Sequence, residues 1–236
     1  MAKVAPPRKR GSRERNTNWL LIIGISALGV IGLFALLFIN LQGQGQPTPT
    51  PEPVASLADY CEANEDNCVF RGDEDAPVTI IEVADYGCPH CRNFNLGGTA
   101  EALYETYVDN GQVRWVVLPY ALRAATQPPA EAAMCAAEQD QFFPYHHELF
   151  EFQDASPGLT RDGFVQAAQN VGLDVDAFEQ CFDSNRYRSV VQRNVAVAAS
   201  AGVSATPTFF INGIKMEGNQ PLANFQQQLE QLLGAG

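Results

Sequence analysis

The longest apolar run in the chain covers residues 19–41 and contains no charged residue. A helix of about 20 apolar residues is long enough to span a bilayer. The apolar region of a signal peptide is shorter, about 7–15 residues, and ends in a small-residue cleavage site. Because this run continues into LLFINLQGQGQ without such a site, we predict a retained transmembrane signal anchor. A cleaved signal peptide is the alternative interpretation.

The segments on either side of this run are polar. Residues 1–18 carry six Lys and Arg residues against one Glu, and an excess of positive charge stays on the cytoplasmic side of a membrane. Residues 42–56 alternate Gly with Gln and then place Pro at every second position, which favours a semi-extended linker over a packed structure. We therefore expect a folded domain at residues 57–236 that is tethered to the membrane outside the cytoplasm.

Within this domain, the hydrophobic pattern first predicts a strand, a helix and a second strand. Residues 77–86 are β-branched and almost continuously apolar, as in a strand that is buried on both faces. Residues 91–111 have the pattern of a helix that ends at Gly111, although the adjacent Gly97 and Gly98 weaken or kink it. The sequence QVRWVVLPY, at residues 112–120, again has the pattern of a buried strand. These elements form a βαβ unit, whose crossover should be right-handed.

The rest of the domain is predicted to be helical, except for one hairpin. Residues 124–201 contain several helical stretches, with Thr160 and Asp176 as candidate N-caps. The sequence VSATPTFFING then predicts a strand that ends in a two-residue turn at Asn212–Gly213, followed by a returning strand. An amphipathic helix at residues 221–233 closes the chain. The element order βαβ, helical insert and ββα indicates an α/β fold.

Composition narrows the possible functions only in part. The chain has 236 residues, 46% of them hydrophobic, which is enough for one ordinary core and additional segments. Its net charge is −12, and because residues 1–18 contribute +5, the remainder carries −17. Such an acidic body does not suit a phosphate backbone, so we do not expect nucleic acid as a partner. Six cysteines allow three pairs, and disulfides persist in oxidising compartments.

The sequence CPHC places two cysteines, Cys88 and Cys91, directly after the first predicted strand. A zinc site usually needs four ligands, but the chain has a single C-x-x-C motif, and His146 and His147 would point about 100° apart on a helix. A purely structural disulfide would close a very short loop and stabilise the fold little. We therefore interpret the pair as a reactive centre, with a metal site and a structural disulfide as the alternatives.

A reactive pair at this position has a physical basis. We expect Cys88 to be exposed where the helix begins, because the unpaired N–H groups and the positive end of the helix dipole favour a thiolate there. Cys91 lies one turn further, faces inward and can close back on Cys88. Pro89 fits the first turn, where its missing N–H does no harm, and a cationic His90 ring would stabilise the thiolate further. A stabilised thiolate favours the reduced form, so the disulfide should be oxidising.

The sequence resembles the thioredoxin superfamily, and most closely its DsbA-like thiol–disulfide oxidoreductases. The features that carry this resemblance are CPHC after an apolar strand, the helical insert and VSATPTFFING. The resemblance covers about residues 75–233 and implies a thioredoxin-like fold with a helical insertion. It also implies that the Thr206–Pro207 bond is cis and packs beside the disulfide, which leaves the Thr206 backbone free to pair with an extended substrate segment. A trans Pro207 on an edge strand is the alternative.

The resemblance further implies a buried acid beneath the inner cysteine, and Glu82, six residues before Cys88, occupies that position. A carboxylate in an apolar strand should have a raised pKa and could relay the proton of Cys91. Arg114, on the neighbouring strand, is a candidate ion partner for Glu82, and Asp85 is a candidate competitor for the relay. A Glu82 that is simply paired at the end of its strand is the alternative.

Four further cysteines lie outside this motif. Cys61 and Cys68 flank a polar loop, where a local disulfide is the simplest interpretation outside the cytoplasm and a second redox pair is the alternative. Cys135 and Cys181 lie on predicted helices of the insert, where they could join two helices or remain buried thiols. The resemblance favours their disulfide, because some DsbA-like proteins carry a second, structural bond. We expect the histidines and aromatic residues of one insert helix to pack rather than to hold a cofactor: Phe142, Phe143, His146, His147, Phe150 and Phe152.

The resemblance implies a membrane-anchored oxidase, in the periplasm or at the outer face of the cell membrane, that introduces disulfides into exported proteins through a redox-active Cys88–Cys91 disulfide. Its partners would be unfolded or folding proteins with free cysteines and a quinone-linked membrane protein that reoxidises it. No cofactor and no metal are expected. One alternative is a disulfide reductase or isomerase, for example in cytochrome assembly. The other is a membrane-anchored binding or chaperone module without catalysis.

Overall fold

A computed structural model of the chain describes residues 56–234, which contain a five-stranded mixed sheet. Its strands are β1 (Val69–Arg71), β2 (Val78–Ala84), β3 (Val113–Pro119), β4 (Thr208–Ile211) and β5 (Ile214–Glu217). They lie in the order β1-β3-β2-β4-β5. Strands β2 and β3 are parallel, and the other neighbouring pairs are antiparallel. This arrangement is a thioredoxin-like α/β sheet, as the element order predicts.

The helices of the insert and the closing helix follow the predicted order, and one further helix precedes the sheet. They are α1 (Leu57–Ala63), α2 (Pro89–Leu96), α3 (Thr99–Leu103), α4 (Gln127–Ala137), α5 (Phe142–Glu151), α6 (Arg161–Asn170), α7 (Val175–Asp183), α8 (Arg188–Ser200) and α9 (Leu222–Leu233). A π-helical turn follows α3 at Tyr104–Val108, and 3₁₀ turns lie at Glu65–Asn67 and Ala124–Thr126.

Strands β2 and β3 form the centre of the sheet because nearly all of their residues are buried. Successive side chains of a strand point to opposite faces. Ile80 therefore lies with Trp115 and Ile211 in one core cluster, whereas Ile81 and Val116 belong to a second cluster. The sheet thus has a hydrophobic core on each face, which explains why both strands read as continuous apolar runs.

The helix that carries the cysteine motif ends where the two glycines predict a break. Gly97 is the C-cap of α2, and Gly98 has a φ of 85°, a left-handed conformation that favours glycine. Helix α3 then begins at Thr99. The break separates the rigid first turn of α2, with its cysteines, from the segment that leads back to β3.

The predicted helical insert is present as helices α4 to α8. Cys135 on α4 and Cys181 on α7 form a disulfide bond within it. Helix α4 contacts α5, α6, α7 and α8, and both α4 and α8 contact β3. The insert is therefore packed onto the sheet rather than attached as a separate body.

Two N-caps were predicted in the insert, and one of them is wrong. Thr160 caps α6, because its side-chain oxygen accepts the Gly163 N–H at 3.2 Å. Helix α7, however, is capped by Asp174, whose carboxylate accepts the Ala177 N–H at 3.1 Å. Asp176 lies inside the first turn of α7 instead, where its negative charge still faces the positive end of the helix dipole.

The sequence analysis did not predict α1 or β1. Helix α1 begins after Ser56, whose side chain accepts the Asp59 N–H at 3.1 Å. A disulfide joins Cys61 in α1 to Cys68, the residue before β1. Strand β1 has three residues and pairs with β3. A strand this short carries too few positions for an apolar alternation to be recognised.

A buried amide on α8 holds this N-terminal segment against the sheet. Asn194 is fully buried, and its Nδ2 donates to the carbonyl oxygens of Asn67 at 2.8 Å and Pro119 at 3.1 Å. Its Oδ1 accepts the Tyr60 hydroxyl at 2.7 Å. One side chain thus satisfies polar groups from three segments that are distant in sequence.

The hairpin between β4 and β5 turns at Asn212 and Gly213, as predicted. Ile211 pairs with Ile214 across it, and the two turn residues have φ values of 45° and 83°. Positive φ values at both central positions are typical of the tight turn that the Asn-Gly sequence favours. Asn212 also accepts the Thr79 N–H at 2.8 Å, which ties the turn to β2.

The predicted basic segment 1–18, the predicted transmembrane anchor 19–41 and nearly all of the predicted linker 42–56 lie outside the residues that the structure describes. Between residues 56 and 234, no helix is long and apolar enough to cross a membrane.

Candidate active site

The cysteine motif lies where β2 ends and α2 begins. Cys88 is the N-cap of α2, and Pro89 occupies the first turn. The preceding turn is closed by Asp85, whose carbonyl oxygen accepts the Cys88 N–H at 3.0 Å and whose carboxylate accepts the Gly87 N–H at 2.7 Å. The first N–H groups of α2 are therefore directed toward the Cys88 sulfur, as the sequence predicts.

The Asp85 side chain has a structural role in this turn. Its other carboxylate oxygen accepts the Leu122 N–H and the Thr126 hydroxyl, both at 2.5 Å. Asp85 thereby ties the cysteine turn to the loop that follows β3. Both of its oxygens are engaged, which leaves Glu82 as the candidate for proton relay.

The surroundings of the Cys88 sulfur favour its thiolate. The pKa of Cys88 is lowered to about 5, and the largest cause is a hydrogen bond from the Cys91 thiol. The Thr206 side chain and the backbone N–H groups of Cys91 and His90 lower it further, whereas burial raises it. Only 8% of Cys88 is exposed, so the sulfur is more enclosed than the sequence analysis expects. Enclosure limits access to one edge of the sulfur without removing its stabilising donors.

Cys91 lies in the opposite environment. It has no exposed surface, and burial raises the pKa of its thiol far above the ordinary range, with the hydrogen bond that it donates to Cys88 adding to the effect. The Asp85 N–H lies 3.4 Å from Cys91 Sγ. Both cysteines are free in this structure. At neutral pH the pair therefore consists of a thiolate at Cys88 and a protonated thiol at Cys91.

Pro89 and His90, between the two cysteines, are exposed. The contribution of His90 to the lowered pKa of Cys88 comes from its backbone N–H. The sequence analysis expects this contribution from the imidazole ring instead. The stabilisation of the Cys88 thiolate thus comes first from the Cys91 thiol, with smaller contributions from the Thr206 side chain and the backbone N–H groups of Cys91 and His90.

The Thr206–Pro207 step lies beside the motif, as the resemblance implies. Its peptide bond is cis, and the Cys88 thiol donates to the Thr206 carbonyl oxygen at 3.2 Å. The Thr206 hydroxyl is buried and has no hydrogen-bond partner of normal geometry among the described residues. It is close enough to the Cys88 sulfur to lower its pKa, so this hydroxyl is an available donor for the thiolate.

Glu82 is fully buried beneath the motif, and it has no ion partner among the described residues. Its two oxygens accept hydrogen bonds from Asn95 Nδ2 at 2.9 Å and from Trp115 Nε1 at 3.1 Å. Burial raises the pKa of Glu82 to about 7, and these two hydrogen bonds limit the rise. A carboxyl group with this pKa can both give and take a proton near neutral pH.

The proposed ion pair between Glu82 and Arg114 is wrong. Arg114 lies 3.6 Å from Glu62 and stacks over the Phe70 ring at 4.4 Å. The strand register explains the difference, because Arg114 pairs with Thr79 and its side chain leaves the sheet on the other face.

Asn95 and Trp115 are site residues that the sequence analysis did not identify. Asn95 is four residues after Cys91, a spacing that puts both on one face of α2. Trp115 is two residues before Val117, the residue that pairs with Glu82, so its side chain points to the same face of the sheet. Asn95 could have been found by projecting the predicted helix from Cys91, whereas Trp115 requires the register of β2 against β3.

The two histidines of α5 differ from each other. His146 is buried and hydrogen-bonded, whereas His147 is exposed. The aromatic residues near them pack in the core, as expected. Within residues 56–234, no group of His, Cys, Asp and Glu side chains is arranged to hold a metal ion.

Comparisons with known proteins agree with this geometry. The chain matches the thioredoxin family model over residues 64–231. It is 36% identical over 156 residues to Na(+)/H(+) antiporter NhaA 3 of Salinispora tropica, a match that covers 63% of this chain and 22% of the antiporter. A Rickettsia prowazekii protein with the provisional name protein-disulfide oxidoreductase RP025 is 24% identical over 172 residues, with 72% of this chain and 62% of that protein covered.

The fold is also similar to the crystal structure of Chlamydia trachomatis DsbA. The TM-score is 0.66 at 19% identity, and the match covers 80% of this chain and 98% of that one. The family match extends over well more than half of the chain, so the chain belongs to the thioredoxin family. It spans about a fifth of the length of the antiporter that it matches.

Proposed function

We propose that this protein is a thiol–disulfide oxidoreductase that introduces disulfides into exported proteins through the Cys88–Cys91 pair. The observation that carries the proposal is the unequal protonation of the two cysteines, a thiolate at Cys88 and a buried thiol at Cys91. A stabilised thiolate lowers the free energy of the reduced pair, which makes the disulfide form a stronger oxidant.

The reaction starts from the disulfide form. A substrate thiolate attacks Cys88 Sγ, the bond between Cys88 and Cys91 breaks, and Cys91 leaves with the electron pair and takes up a proton. A second substrate thiolate then attacks the substrate sulfur of the mixed disulfide and releases Cys88 as its thiolate. The substrate has gained one disulfide, and the enzyme has gained two electrons and one proton on Cys91.

The Thr206 backbone is the candidate docking point for the substrate. Its carbonyl oxygen accepts the Cys88 thiol proton only while Cys88 is protonated. As a thiolate, or when bonded to a substrate sulfur, Cys88 has no proton to donate, so this carbonyl is free to pair with the backbone of an extended substrate segment. Such main-chain pairing would accept many different sequences.

The proposed location is the outer side of the cell membrane, with the predicted anchor 19–41 holding the domain. The supporting features are the basic segment before the apolar run and the two disulfides, Cys61–Cys68 and Cys135–Cys181. Disulfides of this kind persist outside the reducing cytoplasm. Reoxidation would fall to a membrane partner that passes electrons to quinone.

The test is a trapping experiment with the full chain and reduced, unfolded ribonuclease A. Cys91→Ala removes the cysteine that could attack the mixed disulfide and expel the substrate, so an adduct formed on Cys88 persists until a second substrate thiol resolves it. The Cys91→Ala protein is first activated as a mixed disulfide with a small aromatic thiol, then mixed with substrate and analysed by non-reducing electrophoresis and mass spectrometry. Cys88→Ala, treated in the same way, is the matched control.

We expect a substrate adduct on Cys88 in Cys91→Ala and none in Cys88→Ala. We also expect the wild-type disulfide form to oxidise ribonuclease A with loss of its own disulfide. Failure to form an adduct, together with failure of the wild-type protein to oxidise the substrate, would instead support a binding module without catalysis.

A further inference from the structure

A chain of buried hydrogen bonds leads from Glu82 away from the cysteine motif. Asn95 Nδ2 donates to Glu82 Oε1 at 2.9 Å, and Asn95 Oδ1 lies 3.1 Å from His146 Nε2. The other ring nitrogen of His146, Nδ1, lies 2.7 Å from the Tyr86 hydroxyl. All four residues are at least nine-tenths buried. The resemblance that identifies Glu82 assigns no role to the other three.

The partners of this chain fix the direction of every donor in it. Asn95 Nδ2 also faces the Cys91 carbonyl oxygen at 3.1 Å, and that oxygen can only accept. The amide nitrogen of Asn95 must therefore point toward Glu82 and Cys91, and its oxygen toward His146. Because the amide oxygen can only accept, His146 carries its proton on Nε2, and its Nδ1 accepts the Tyr86 O–H. Each donor in the chain thus points toward Glu82.

We infer that His146 is a positioning residue that fixes the orientation of the Asn95 amide and thereby governs the protonation of Glu82. A reversed amide would direct its oxygen at the carboxylate and disfavour the ionised form of Glu82. His146 and the Cys91 carbonyl oxygen both oppose this reversal, because the Nε2–H of His146 needs an acceptor at the place of the amide oxygen and the carbonyl needs a donor at the place of the amide nitrogen. The only other donor to Glu82 among the described residues is the indole of Trp115, so the Asn95 amide supplies one of two stabilising hydrogen bonds.

The neutral ring of His146 both donates to Asn95 through Nε2 and accepts the Tyr86 hydroxyl through Nδ1. Burial lowers the pKa of His146 to about 3, and the neighbouring His147 adds to the effect. The ring therefore keeps a single proton throughout the physiological range. A charged imidazole would carry protons on both nitrogens and would turn the hydrogen bond with the Tyr86 hydroxyl around.

The other titratable groups near this chain are few. A cavity of about 230 Å³ lies beside Asn95 and His146. Tyr86 and Tyr104 interact electrostatically with Glu82, and Cys91 interacts with Tyr86. The titratable groups that line the cavity are Arg71, Glu101, Tyr104 and His147. Arg71 is the cation among them, and it is bound to Asp109 at 3.2 Å and stacked over Tyr104 at 4.2 Å.

The consequence for catalysis rests on the proposed function. When a substrate thiolate breaks the Cys88–Cys91 bond, the Cys91 sulfur leaves with the electron pair and takes the proton of the Glu82 carboxyl group, which becomes a carboxylate. During reoxidation the Cys91 thiol returns this proton to Glu82 as its sulfur attacks Cys88 and expels the partner's thiolate. The orientation of Asn95 sets the pH at which Glu82 can serve both steps.

The test measures the pKa of Glu82 directly, by NMR of the full chain with ¹³C-labelled glutamate carboxyl groups. The resonance that disappears in Glu82→Gln identifies the residue. His146→Leu removes the donor to Asn95, and His146→Gln restores an amide N–H at a similar place. His147→Leu, on the exposed face of the same helix, is the matched control. We expect the pKa of Glu82 to rise by about one unit in His146→Leu, to stay near the wild-type value in His146→Gln and to be unchanged in His147→Leu.

An equal pKa of Glu82 in His146→Leu and His147→Leu would overturn the inference, as would a His146→Gln variant that behaves like His146→Leu. If His146→Leu does not fold, ¹⁵N NMR of the His146 imidazole in the wild-type protein tests the inference instead, by showing which ring nitrogen carries the proton. The inference requires protonated Nε2 and unprotonated Nδ1 from pH 5 to pH 8, and any other state overturns it. These readouts do not depend on oxidase activity, so failure of the proposed function and failure of this inference remain distinguishable.

Discussion

The unfolding free energy of the dithiol form, relative to that of the disulfide form, should fall as the pH is lowered from 7 to 4. Cys88 can titrate only in the dithiol form, where its surroundings lower its pKa from 9.0 to about 5. Because the pKa of Cys88 is lower in the folded than in the unfolded dithiol form, the thiolate stabilises the folded form. This stabilisation is complete above the pKa of the unfolded state and is lost as the pH falls through the pKa of the folded state. At pH 7, two units above the folded pKa, it amounts to about 2.7 kcal/mol. At pH 4, where both states are protonated, it is close to zero.

The assay is urea unfolding of both redox forms at pH 4, 5, 6 and 7. Groups whose surroundings are the same in both forms cancel in the difference, which isolates the cysteine pair. The difference in unfolding free energy should change by about 2.7 kcal/mol across this range, in favour of the dithiol form at pH 7. Cys88→Ser is the control, and its stability should lack the rise with pH that Cys88 gives the wild-type dithiol form. A difference that stays constant from pH 4 to pH 7 would refute the assigned thiolate.

Three further predictions follow from other parts of the structure. Loss of the Cys135–Cys181 disulfide, which spans 46 residues, should cost about 4 kcal/mol of stability. Loss of the Cys61–Cys68 disulfide, which spans 7 residues, should cost about 2 kcal/mol. Urea unfolding of the two double Cys→Ala variants measures both costs. Between pH 4.5 and pH 8, the wild-type disulfide form should lose about 3 kcal/mol of stability relative to Glu82→Gln. The reason is that the raised pKa of Glu82 gives stability at low pH, which is lost as the pH rises through about 7. Parallel curves of unfolding free energy against pH for the two proteins would contradict this. Asn194→Ala should cost about 2–4 kcal/mol because it removes three buried hydrogen bonds, one from the Tyr60 hydroxyl and two to the carbonyl oxygens of Asn67 and Pro119. A change below about 1 kcal/mol in thermal unfolding would speak against that role.

Hydrophobic periodicity was sufficient for the central part of the fold. Strands β2 and β3 are buried on both faces, so their continuous apolar runs were recognisable, and the Asn212–Gly213 turn has a chemistry that few other turns share. Strand β1 and helix α1 were not predictable in this way. Their position depends on the Asn194 side chain, which joins residues that are distant in the sequence, and on the local Cys61–Cys68 disulfide.

The cysteine motif could be placed from the sequence because its chemistry is local. The N–H groups that stabilise Cys88 belong to the same turn, so a strand followed by a helix already predicts them. The environment of Glu82 is not local, because its donors come from α2 and β3, and the candidate partner Arg114 points to the other face of the sheet. Strand register decides such contacts, and a single sequence does not reveal it.

The redox equilibrium of the Cys88–Cys91 pair with glutathione tests the central claim most directly. A pair whose reduced form is stabilised by a thiolate should be reduced readily, with a potential between about −200 and −120 mV. A potential near about −270 mV, as reducing as that of thioredoxin, would contradict the oxidase and leave a reductase as the function of the same site.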